Sequence, residues 1–117
     1  MDTPEVAAQK QCTALIAFAK SIGHDIAALR WPYRKHMAEP AEYRLWRICR
    51  AHVERLELFF DAGLADEPTF SGRAMFEKML YEAEIAERSA WSAWCRKKES
   101  LEMDLLCGRR KTLPWSC

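Results

Sequence analysis

Glycine is scarce in this chain, four residues in 117, and no stretch alternates apolar and polar residues with the two-residue period of a half-buried strand. Those two absences exclude the sheet-rich classes. No window reaches the roughly 20 consecutive apolar residues of a membrane-spanning helix. The first residues, MDTPEVAAQK, carry early acids and no apolar stretch of signal length. Cysteines stand at 12, 49, 95, 107 and 117, an odd number with no CxxC pair, which argues against a disulfide framework. The expectation is a soluble protein of a reducing, cytoplasmic compartment with no membrane contact.

Signatures of catalysis are equally lacking. There is no glycine-rich phosphate loop, no GxSxG and no HExxH. No ExxH pair suggests a di-iron centre. Cys49 and His52 stand three apart on one helical turn, but zinc would need two more ligands and the other cysteines supply no second pair. Both residues also fall on an apolar stripe, where a cysteine acts as a small hydrophobe. The sequence therefore points away from an enzyme, and no cofactor or metal is expected.

A formal net charge of +1 excludes a uniformly basic nucleic-acid coat, yet the charge is unevenly spread. Residues 61–95 are net acidic and residues 96–117 net basic.

What is present is helical periodicity. Thr3, Pro4 and Glu5 form a start signal of capping hydroxyl, proline and first-turn acid. Ala8, Leu15, Phe18, Ala19, Ile22, Ile26 and Leu29 then share one face, with Ile16 outside it, predicting a first helix over 4–30 that bends at Gly23 and stops before Pro32. Pro40 suits the start of a second helix over 41–62, whose apolar side is Leu45, Ile48, Cys49, His52, Val53, Leu56, Phe59 and Phe60. A third helix over 72–107 follows, capped by Thr69 or Ser71. It carries Phe76, Met79, Leu80, Ala83, Ala86, Ala90, Trp91 and Trp94 on one face, then Leu101 and Leu105 in the same phase, and ends at Gly108. Ser100 offers an alternative break that would start a short fourth helix.

The expected fold is thus all-α and a single domain: an antiparallel three-helix bundle, or a four-helix one if Ser100 breaks the chain, with a long third helix and a tail over 108–117. Helices of about 40, 33 and 54 Å would not match in length, which leaves overhanging apolar surface for a second copy or another protein.

One residue breaks the third helix's pattern. Glu87 lies inside the apolar stripe, where an unpaired carboxylate is costly. It is expected to pair with His52 or an arginine, to reach the edge, or to contact a partner subunit.

Two function classes remain. The first is a non-catalytic protein-interaction or regulatory module, such as an adaptor, an inhibitor or a small subunit of an assembly, binding another protein or itself as a homodimer. Its candidate contact residues are Trp31, Tyr33, Arg34 and Lys35 in the connection, Leu101 and Leu105 late in the third helix, and Arg109, Arg110, Lys111 and Trp115 in the tail. The second is a nucleic-acid-associated protein, alone or in a nucleoprotein complex, using Arg44, Arg47 and Arg50 on the second helix and Arg96, Lys97 and Lys98 on the third. Against this stands the common fate of a charged stripe opposite a core, which is to be a solvated face; Glu54 and Glu57 sit among those arginines and offset their field.

Overall fold

The computed structural model describes residues 3–32, 40–109 and 111, and among them the protein is all-helical. Helix α1 is Pro4–Ser21, α2 is Ala41–Asp61 and α3 is Arg73–Leu106; single turns of 3₁₀ helix occupy Ala27–Leu29 and Leu64–Asp66. At 1.5 Å per residue, the 18, 21 and 34 residues give rods of roughly 27, 32 and 51 Å.

The first helix begins as its residues dictate. Thr3 Oγ1 accepts the Val6 amide at 3.2 Å and Pro4 occupies the first turn. It ends nine residues before the expected boundary, because Gly23 is a stop rather than a bend. Its φ of 88° is left-handed, and the chain closes there with Gly23 N–H on the Lys20 carbonyl at 3.1 Å and His24 N–H on the Ala19 carbonyl at 2.8 Å. Only glycine adopts that φ without strain. Residues 27–29 recover one turn of 3₁₀ helix, which tucks Leu29 into the core. Helix α3, by contrast, runs unbroken through Ser100, so no fourth helix forms among the described residues. Its N-cap residue is Gly72, with no side-chain cap from Thr69 or Ser71.

Helix α2 carries the contacts with both other helices. Against α3 it runs antiparallel: Tyr43 meets Trp94, Trp46 meets Trp91, and Phe59 meets Phe76, so numbers rise on one helix as they fall on the other. Against α1 the order is the reverse of the up-down expectation. Glu5 meets Arg44, Gln11 meets His52 and Phe18 meets Phe59, with separations of 39 and 41 residues for the two polar pairs. Partners that advance together define parallel neighbours. The early stop at Gly23 allows it, since with α1 ending at Ser21 the connection to Ala41 is long enough to span a helix of this length.

The core lies where the C-terminal ends of α1 and α2 meet the N-terminal end of α3. Phe59 is fully buried and its ring centroid stands 5.1 Å from that of Phe76 and 5.3 Å from that of Phe70, with Phe18 at 6.2 Å. Leu15, Ala19, Val53, Leu56, Leu64, Ala65 and Ala83 complete the cluster, and Ile16, expected outside the stripe, packs against it. Leu45 and Phe60, both expected on the buried side of α2, are each 39% exposed. They sit at the two limits of α1's coverage, level with Glu5 and with Phe18, so the cover ends where they begin.

Arg55 holds Arg30 and Trp31 against α2. Its side chain, only 14% exposed, donates to the Arg30 carbonyl at 2.8 Å and the Ala51 carbonyl at 3.0 Å, and its guanidinium lies 5.8 Å over the Trp31 ring.

Candidate functional site

A second aromatic cluster forms at the opposite end of the α2/α3 pair. Trp46 and Trp91 have centroids 4.9 Å apart, Tyr43 and Trp94 5.0 Å, and Tyr43 and Trp46 5.9 Å. The two tryptophans of α3 were expected to share the core stripe, and they divide. Trp94 is buried, whereas Trp91 is 46% exposed. Three residues advance a helix by about 300°, which leaves them some 60° apart; with Ala83 and Ala90 marking the buried direction, Trp91 falls at its margin.

Glu87 also reaches that margin. Half-buried, it accepts the indole N–H of Trp46 at 3.1 Å, and so pairs with neither His52 nor an arginine within the described contacts. A neutral donor satisfies one carboxylate oxygen while the side chain keeps access to water, which removes the burial cost that its position implies. Around this contact opens a cleft of about 410 Å³ lined by Trp46, Arg50, Glu87, Arg88, Trp91 and Ser92. Arg50 donates to Glu54 at 3.0 Å. Arg88, exposed, forms no hydrogen bond or ion pair with any described residue.

The arginines of α2 are engaged rather than lined up for a backbone. Arg44 pairs with Glu5 at 3.1 Å, Arg47 lies 5.7 Å over the Tyr43 ring, and Arg50 is held by Glu54. On α3, Arg96, Lys97 and Lys98 are exposed and form no ion pair with described residues. Being consecutive, they project about 100° apart and spread around the helix instead of forming one stripe.

Other expected contact residues fall as follows. Trp31 is half-buried beneath Arg55. Leu101 is 3% exposed and Leu105 half-buried. Arg109 pairs with Asp104 at 3.1 Å, and Lys111 is exposed. Tyr33, Arg34, Lys35, Arg110 and Trp115 lie outside the described residues. Sequence reasoning missed Trp46 and Arg88. Trp46 sits on the flank of the α2 stripe, and the available signal was its indole N–H, a donor that needs a partner once half-buried.

Three groups with nucleophilic or basic chemistry, His52, Cys49 and Cys12, are held by their surroundings. His52 Nε2 lies 2.6 Å from Gln11 Oε1, a contact in which the ring nitrogen donates. Burial holds its pKa below the ordinary value. Burial and then the Glu87 charge push the Cys49 thiol up, and burial raises Cys12 to about 11 against the opposing Arg55 charge. No group of three potential metal ligands occurs among the described residues.

The His52 shift has a measurable consequence. With the folded pKa below the unfolded one, the unfolded chain takes up the proton first as pH falls through about 6.5. Stability contributed by neutral His52 is full above that pH and declines below it until the folded ring also protonates. A His52→Gln variant is expected to show a flatter fall in melting temperature across this interval than wild type, measured by thermal circular dichroism; parallel curves would refute the assignment.

No protein-family model, curated protein or solved structure matches this chain. No helix among the described residues is long and apolar enough to cross a membrane.

Proposed function

We propose that this chain is a small, non-catalytic, helical protein-interaction or regulatory module of the cytoplasm, an adaptor, inhibitor or small subunit whose partner is another protein or a second copy of itself. One observation carries the reading: the cleft between α2 and α3 brings together Trp46, Trp91, Arg50 and Arg88, with Tyr43 behind. Tryptophan, tyrosine and arginine are the side chains that dominate binding energy at protein interfaces, where they join large apolar area to directional hydrogen bonding. A folded domain gains little by leaving nearly half of an indole in water.

The lack of turnover is part of the proposal. It is supported by a Cys49 thiol held protonated by burial and by a His52 ring committed to Gln11, which leaves neither poised as nucleophile or base.

A second reading keeps the chain as a nucleic-acid-associated protein, and the observation in its favour is the exposed, unpaired run Arg96, Lys97 and Lys98. The two separate in a pull-down from extract of the native cells, run with and without nuclease and at rising salt. Specific proteins retained after nuclease, with modest salt response, are the expected result. Loss of everything on nuclease treatment, with binding that falls steeply with salt, would overturn the first reading in favour of the second.

A further inference from the structure

We propose that the Trp46/Trp91 cleft takes a short acidic peptide segment of the partner, in which a carboxylate meets Arg88 while a neighbouring aromatic or large aliphatic side chain lies against the exposed indole of Trp91. This rests on the protein-interaction reading and names the chemistry of the partner at that site.

The charges around the cleft are unequally spent. Arg50 is matched by Glu54, and Glu87 is turned inward, where it takes the Trp46 N–H and lies close enough to Cys49 to raise its thiol pKa. Arg88 follows Glu87 directly, and consecutive helix residues diverge by about 100°, so the two do not face each other. Glu84, one turn earlier, forms no ion pair with it either. Arg88 is therefore the cation of the cleft whose guanidinium has no carboxylate partner among the described residues, and it stands next to the exposed face of Trp91. A planar guanidinium is built to receive a carboxylate through two parallel hydrogen bonds, and beside an indole that partly excludes water the pairing is stronger than in open solvent.

Size sets the other half of the description. A cleft of about 410 Å³, open to solvent at its mouth, gives room for two adjoining side chains of a segment lying across it. A multiply charged phosphate backbone needs several free cations, and here Arg50 is already held by Glu54 and Glu87 lines the same cleft, whereas a single carboxylate needs only the Arg88 guanidinium. Charge complementarity thus favours an acidic peptide over a nucleic acid here.

The test pans random heptapeptides displayed on phage against the immobilised full chain, then measures the enriched peptides on wild type, Arg88→Glu and Trp91→Ala. Arg88 is exposed and makes no contact that the fold uses, so its charge reversal leaves the protein folded. Enriched sequences are expected to place Asp or Glu within two residues of Trp, Phe or Leu, and to bind about tenfold more weakly to Arg88→Glu and about thirtyfold more weakly to Trp91→Ala. Basic or uncharged sequences, or peptides that bind Arg88→Glu as well as wild type, would overturn the acidic specificity; the interaction reading would still stand if Trp91→Ala abolished binding. Peptides insensitive to both variants would overturn that reading as well. Oligothymidylate that displaces the peptides from wild type but not from Arg88→Glu would overturn the peptide proposal in favour of nucleic acid.

Discussion

Replacing Phe59 by alanine is expected to remove about 3–5 kcal/mol of unfolding free energy, which for a domain of this size is a large part of the roughly 5–15 kcal/mol available. Phe59 has no exposed surface, and its ring is packed on three sides by Phe18, Phe70 and Phe76. Those three rings come from α1, from the segment before α3 and from α3 itself, so no single element can slide inward to refill the space. The loss combines the transfer of the ring to water with contacts forfeited across an unfilled cavity. A urea titration followed by far-ultraviolet circular dichroism would report it as a lower midpoint at unchanged slope, and a loss below about 1 kcal/mol would mean that the core does not lie at this end of the molecule.

The three rods and most of their buried sides were legible in the sequence, because an apolar stripe at helical spacing is a local property. Thr3 with Pro4 told where α1 begins, and Gly108 where α3 ends. Gly23 was legible as a residue but not as a stop: glycine inside a pattern that continues through Ile26 and Leu29 reads as a bend, and only the left-handed φ and the two closing hydrogen bonds distinguish the cases. That one boundary decides more than its own position. By ending α1 at Ser21 it lengthens the connection, and the long connection is what permits α1 and α2 to lie parallel. A stripe tells which side of a helix is buried, never the direction in which its neighbour runs.

The candidate site was less legible for a related reason. Glu87 was recognisable as misplaced, yet its partner is Trp46, 41 positions away on another helix. Gln11 meets His52 across the same separation. Neither pairing leaves a local spacing to read. Trp91 and Trp94 look equivalent on a stripe drawn as half the circumference; they separate only once the neighbouring helix, much narrower than that half, is in place. Arg88 became noticeable when its neighbours proved to be paired and it did not. The residues beneath Arg55 make the same point. Arg55 spends its donors on two backbone carbonyls and shields Trp31, pairings that no local spacing reveals.

Two large aromatic deletions then carry opposite expectations. Phe59→Ala should cripple the fold, while Trp91→Ala should leave the fold and remove the proposed binding. Trp91 keeps 46% of its surface in water and its main packing partner is the Trp46 ring. Its truncation forfeits one ring contact worth about 0.5–1.5 kcal/mol and some half-buried area, with no enclosed cavity behind it. In the proposed complex the same side chain would be a buried anchor, where truncations cost about 2 kcal/mol or more, a thirtyfold or larger loss of affinity.

The decisive measurement is therefore made on Trp91→Ala twice over: its urea midpoint beside that of Phe59→Ala, and its capture of nuclease-resistant protein partners beside that of wild type. A near wild-type midpoint together with lost capture is the predicted result. A midpoint as low as that of Phe59→Ala, or undiminished capture by a folded variant, would contradict the claim that this end of the α2/α3 pair is a surface for binding.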